Sequence, residues 1–262
     1  MHPRARSTLR LMLAAAGLVM AVAACIETTK APGATPYAYF IINVDPAGAS
    51  YTVKPVAQVF SSQALALPNG HAKADSCLIY LYGTATDAPL DFISGGDSLA
   101  FTADGVTRYL KPTTVTSIVR YSLPSSTVPL ATPGGRFTVT TPGGSATYPA
   151  GTLSSNTPPA LTVQRPVTNA DGTITLTWNA GDDSSRVGIG LVYASASAGF
   201  DRQIFCALTD DGTYTLPSTI TAGYLASTQK RVEASRWRSA LAHLTNAELF
   251  AYSSFNITPF TP

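Results

Sequence analysis

The residues able to do chemistry are few and scattered. Histidine occurs only as His2, His71 and His243, each alone in its neighbourhood, which leaves little for an imidazole acid–base relay. There is no His-Glu-x-x-His, no Gly-x-Ser-x-Gly and no Gly-Lys phosphate loop, the spacings that place a metal helix, a nucleophile elbow or a phosphate cradle. Serine, histidine and aspartate are all present, and a triad can be assembled from distant residues. A hydrolase with its site between two domains therefore stays as the rival class, although no catalytic residue and no cofactor is singled out. The adjacent acids Asp182-Asp183 and Asp210-Asp211 are the calcium candidates, since oxygen-rich loops at a sandwich edge can cage that ion. The simpler alternative is that these aspartates hydrogen-bond their own backbone in turns, as Asp211-Gly212 suggests. Trp237 lies between Arg236 and Arg238, with Lys230 and Arg231 nearby. An exposed ring there could stack on a ligand, and the cations could meet an acidic envelope polymer or simply form a solvated face.

The elements around these residues read as short strands. Ile174, Leu176 and Trp178 alternate with threonines, so they share one face; Trp178 is thus expected in the core. Val187, Ile189, Leu191 and Tyr193 repeat the period of two, with glycines between the first three, and Ile204, Cys206 and Leu208 do so again. Asp211-Gly212 suits a hairpin turn before Tyr214 and Leu216, and Leu249 to Ile257 gives a last strand. Upstream, 37–44, 51–60, 77–82, 106–110 and 117–123 are rich in β-branched and aromatic residues, with turns at Asn69-Gly70 and Asp104-Gly105. Thr-Pro-Gly-Gly at 132–135 and 141–144 brackets one strand, 136–140, between two turns. The helix formers of 229–244 are compatible with helix or strand, because Arg236, Trp237 and Arg238 spoil a clean apolar stripe.

Strands at this spacing point to an all-β fold of two immunoglobulin-like β-sandwich domains in tandem. The expected boundary is the polar, proline-closed Ser154-Ser155-Asn156-Thr157-Pro158-Pro159, giving domains at 37–157 and 158–262.

The N-terminus sets the location. Arg4, Arg6 and Arg10 precede the apolar stretch Leu11–Ala24, a charged region followed by a hydrophobic one. That stretch is about 14 residues, short of the roughly 20 that a helix needs to span a bilayer. It ends in Val22-Ala23-Ala24-Cys25, which resembles the lipobox of bacterial lipoproteins. The resemblance implies a signal peptide over 1–24, diacylglycerol on the Cys25 sulfur, cleavage before it and acylation, typically by palmitate, of the new amine. The alternative is an ordinary secretory signal that leaves Cys25 a free thiol. Ile26 follows where inner-membrane retention would favour Asp, so the outer membrane is the default, with either face possible. Residues 25–36, with two prolines and a glycine, suit a lipidated tether. From Leu176-Thr-Trp178 through Cys206 and Asp210-Asp211-Gly212 to Pro217, the chain also resembles a pattern in all-β lipoproteins of soil and predatory bacteria, which implies fold and no activity. Beside a bacterial lipobox, the sequon Asn256-Ile257-Thr258 carries little meaning.

Composition narrows the partners. The signal takes three of the seventeen basic residues, leaving fourteen against fifteen acids, a balance of −1. No strong field of either sign remains, which argues against nucleic acid. Charged residues make up 12% of the chain, half of the roughly 25% usual in globular proteins, so the surface is polar but uncharged. With Cys25 lipidated, Cys77 and Cys206 either form a disulfide in an oxidising compartment or remain two separate buried thiols. The expectation is a non-enzymatic binding or structural module of the cell envelope, held to the membrane through Cys25, with an envelope protein or polysaccharide as partner. A glycan-binding accessory domain is its narrower form.

Overall fold

The computed structural model describes residues 35–47, 50–62, 74–81, 91–115, 118–124, 127–130, 132–145, 148–195 and 199–262. The signal peptide, the lipobox with Cys25, the tether as far as Ala34, His71 and the Asn69-Gly70 turn lie outside the described residues. Residues 35–262 form one compact unit.

In chain order the strands are β1 (Thr35–Ala47), β2 (Ser50–Ser62), β3 (Ser76–Leu81), β4 (Asp91–Phe92), β5 (Leu99–Ala103), β6 (Val106–Val115), β7 (Ile118–Ser122), β8 (Val128–Leu130), β9 (Arg136–Ser145), β10 (Tyr148–Asn156), β11 (Val167–Thr168), β12 (Ile174–Thr177), β13 (Arg186–Tyr193), β14 (Arg202–Thr209), β15 (Thr213–Leu216), β16 (Lys230–Leu244) and β17 (Ala247–Asn256). A helix that the sequence reading did not foresee, α1 (Ser218–Ala226), follows Pro217, whose fixed φ suits a helix start. Its buried residues are Thr221 and Tyr224, too few to leave an apolar stripe in the sequence.

The fold is all-β, as expected. Among the described residues a large sheet runs β10-β9-β5-β6-β7-β2-β1-β17-β16-β13-β14-β3, and a smaller one runs β11-β12-β15. The large sheet doubles back through β6, whose first half pairs with β5 and whose second half pairs with β7. This brings β10 across the face of β16 and β17, where Tyr148 Oη donates to the Glu248 carbonyl at 2.6 Å and Ser253 Oγ to the Asn156 carbonyl at 3.3 Å. The small sheet covers β13 and β14, with Ile174, Leu176 and Leu216 joining Val187, Ile189, Leu191, Ile204 and Leu208 in the buried core. Sandwich packing thus arises twice around one continuous core, and we refer to the sheet face that lines it as the inner face.

The expected boundary after Thr157 falls inside this unit. β1 pairs in parallel with β17 over Tyr37↔Glu248 to Val44↔Phe255, and β3 pairs with β14, so strands from both sides of 157 share one sheet. The polar stretch read as a linker is the end of β10 plus extended chain held by Arg236 and Arg238. Residues 230–244 are a strand. Val232, Ala234, Arg236 and Arg238 point inward while Arg231, Glu233, Ser235 and Trp237 point outward, so two inward arginines hid the period of two. The second Thr-Pro-Gly-Gly is not a separate turn, because β9 runs through it to Ser145 with a register shift opposite Tyr148 and Ala150. Cys77 and Cys206 sit opposite each other on β3 and β14 and form a disulfide, Sγ–Sγ 2.13 Å.

Candidate binding groove and the ion pair beneath it

Strand alternation puts Arg236 and Trp237 on opposite faces of β16, and the two faces do different things. On the inner face the Arg236 side chain is fully buried against the Asp210 carboxylate. Nε lies 2.6 Å from Oδ2 and Nη2 donates to Oδ1 at 2.9 Å. The same carboxylate accepts from Trp178 Nε1 at 3.0 Å, the Gly181 amide at 3.1 Å and Ser185 Oγ at 2.6 Å. Arg236 donates further to the carbonyls of Ala160, at 2.5 Å, and Asn179. A buried ion pair of this kind is tolerated only when its remaining donors and acceptors are satisfied, and this one ties together four chain segments around 160, 178–185, 210 and 236.

Arg238 is also drawn inward. It pairs with Asp182 and donates to the Thr157 carbonyl at 3.1 Å, and burial holds its guanidinium below the ordinary arginine value. Arg236 and Arg238 therefore do not present charge to a ligand, contrary to the expectation drawn from their clustering. The other cations are engaged as well: Arg231 pairs with Glu233 at 2.5 Å, and Lys230 donates to the Leu225 carbonyl and lies over the Tyr224 ring.

The calcium candidates are likewise dispersed. Asp210 is surrounded by donors, including a guanidinium, which is the wrong environment for a cation. Asp182 accepts from Arg238 and from Ser184 Oγ in its own turn, and Asp211 accepts from the Thr213 amide at 3.3 Å. Among the described residues, no three His, Cys, Asp or Glu side chains gather as a metal group.

On the outer face, Trp237 borders a groove. Its ring is half-buried and stacks on Tyr252 of β17, centroids 5.9 Å apart, and it also lines a cavity of about 350 Å³ over β13 and β14. Arg186, Asp183, Ser184 and Ser239 supply the polar lining there, and Ala207 forms part of the floor. One residue pair further along β13 a second cavity of about 260 Å³ begins, with Gln203, Glu233, Ser235 and Asn256 as its polar lining and Phe205, Ile257 and Pro259 as its apolar lining, over Gly188 and Gly190. The two adjoin on the same face, since Arg186 sits opposite Trp237 and Gly188 opposite Ser235 and Ala207. From Arg186 to Gly190 the two neighbouring cavities span about 13 Å of β13 at the usual strand rise.

The glycines are needed for this shape. A Cβ at Gly190 would stand 2.2 Å from Gln203 Nε2, and one at Gly188 3.1 Å from the Phe205 ring, so these side chains lie across β13 only because it is bare. Glycines in strand phase are the sequence signal for such close approach. Arg186, Gln203 and Phe205 gave no signal alone, because only the pairing of β13, β14 and β16 brings them together. Of the residues singled out in the sequence, Trp237 and Asp183 line the groove, Arg236 and Asp210 lie beneath the sheet, and Arg238 and Asp182 close its edge.

Arg238 aside, the side chains with clearly displaced titration lie apart from the groove. Burial raises the Tyr39, Tyr148 and Tyr224 hydroxyls, the last to about 12. Hydrogen bonds from Thr173 and Ser195 lower Asp171 and Asp201 respectively.

Fold and site together define an all-β sandwich protein with an open groove on a sheet face, polar at the Arg186 end and mixed at the Gly190 end. No family model and no curated protein matches the chain. Among solved structures, the two fibronectin type-III domain segment from chicken tenascin is similar at 8% identity over 82% of this chain and 97% of that one, with a TM-score of 0.21. That likeness is too loose to bear on function.

Proposed function

We propose that the protein is a non-enzymatic, lipid-anchored module of the bacterial cell envelope that binds an envelope partner through the groove over β13, β14 and β16. The observation that carries this reading is the groove itself: open, polar at the Arg186 end and bordered there by Trp237, on a sheet stiffened from beneath by the Arg236–Asp210 pair. A rigid sheet face bearing a half-buried aromatic anchor among polar groups is suited to binding. The anchor follows from Val22-Ala23-Ala24-Cys25. Each buried methylene contributes about 0.8 kcal/mol, so two or more acyl chains hold a protein firmly. With Ile26 after the cysteine, the outer membrane is the proposed location.

The experiment has two arms. Cells grown with an alkyne analogue of palmitate should label the wild-type chain and leave Cys25→Ser unlabelled and still carrying its signal peptide. Cross-linking in the native envelope should then recover a reproducible protein or polysaccharide, and lose it with Trp237→Ala. Label that persists in Cys25→Ser would overturn the anchor; recovery of the lipoprotein alone across several linker lengths would overturn the binding role.

A further inference from the structure

We infer that the groove takes an uncharged oligosaccharide, an inference that rests on the binding role proposed above and names its ligand. Three features of the groove carry it.

Its charges are balanced. Arg186 is matched by Asp183 at one end, and Glu233 by Arg231 at the other, while the arginines that would attract a polyanion are turned to the inner face. A polyanion therefore meets no net opposite field.

Its polar groups mix donors and acceptors. A sugar hydroxyl both donates and accepts, and it is best met by carboxylate, guanidinium, amide and hydroxyl groups side by side. Asp183, Arg186, Ser239, Gln203 and Asn256 supply this mixture along one face. The Arg186 guanidinium is steadied by the Ser185 carbonyl, to which Nη1 donates at 3.1 Å.

Its aromatic ring is braced. Tyr252 stacks on Trp237, and the same ring borders the cavity, where it offers an apolar surface to the C–H face of a pyranose. The Phe205 ring and the Gln203 amide, lying low over Gly188 and Gly190, supply a further apolar surface and a further hydrogen-bonding group beyond Trp237, so the lining suits a short oligomer rather than a single sugar.

The test is titration calorimetry on the full chain in detergent micelles, with cellohexaose, chitohexaose and maltohexaose as uncharged probes and hexagalacturonate as the charged one. At least one uncharged hexamer should bind. Trp237→Ala should weaken it by about tenfold or more, as expected for a central aromatic anchor. Arg186→Ala, which removes a hydrogen-bonding cation from the lining, should weaken it as well; Tyr109→Ala, on the exposed face of β6, should bind as wild type. Preference for hexagalacturonate would overturn the inference and leave the binding role standing. The same division follows if no glycan binds while envelope cross-linking still depends on Trp237. If neither glycan nor cross-linked partner is found, both readings fall.

Discussion

Replacing Asp210 with asparagine preserves shape and removes one charge at the centre of the inner-face network. The carboxylate now satisfies the Arg236 guanidinium, Trp178 Nε1, the Gly181 amide and Ser185 Oγ. Asparagine offers one acceptor oxygen, and its amide nitrogen would face groups that are themselves donors. Arg236, 0% exposed, would keep its carbonyl acceptors but lose its counter-charge. Breaking a buried pair from one side costs about 3–5 kcal/mol, against the roughly 5–15 kcal/mol by which a domain is stable. Asp210→Asn should therefore unfold at a markedly lower urea concentration, followed by tryptophan fluorescence and circular dichroism. Arg236→Met alone should be similarly damaging, because the Ala160 and Asn179 carbonyls lose their donor. The double variant Asp210→Asn/Arg236→Met leaves no buried charge unpaired, so it should cost less than the sum of the two singles, although the carbonyls that Arg236 satisfied still lose their donor. A loss below about 1 kcal/mol for Asp210→Asn, or a double variant equal to the sum of the singles, would refute the idea that this pair braces the sheet.

Alkaline titration probes the buried tyrosines. Tyr39, Tyr148 and Tyr224 have folded values raised above 10.0 by burial, so their contribution is complete below pH 10 and is lost as pH rises through the folded values; stability should fall between pH 10 and about 12, and Tyr148→Phe should flatten the fall. Asp171 and Asp201 are depressed from 3.8, so their contribution holds above that value and disappears as pH drops further; Thr173→Val should lessen this acid dependence. The Cys77–Cys206 bridge joins positions 129 apart in sequence, and reduction should lower stability by about 2–5 kcal/mol, measured as a urea midpoint with and without reductant; an unchanged midpoint after verified thiol alkylation would contradict that.

Much of the fold was legible because alternation is local. β12, β13, β14, β15 and β17 lie where the period of two placed them, and Asp104-Gly105 takes the positive φ angles, 47° and 74°, of the turn expected there. What was not legible depends on distant chain. Parallel pairing of β1 with β17 cannot be read from either strand, and without it the polar stretch after β10 looks like a domain boundary. β16 was ambiguous because Arg236 and Arg238 occupy inward positions, which is acceptable only because Asp210 and Asp182 arrive from other segments. The same non-locality limits reading of the site. Trp237 stood out by type and Gly188 and Gly190 by phase, but Arg186, Gln203 and Phe205 are ordinary strand residues until β13 pairs with its neighbours.

The central claim is that the outer face over β13, β14 and β16 meets an envelope partner, and site-specific photo-cross-linking in intact cells tests it most directly. A photoreactive amino acid at Ser239, exposed on the groove rim, is compared with one at Tyr109, 59% exposed on β6. A discrete adduct from position 239 that is absent from position 109, and lost when Trp237 is also replaced by alanine, is the predicted result. Equal adducts from both positions, or none from position 239 while position 109 cross-links, would contradict it.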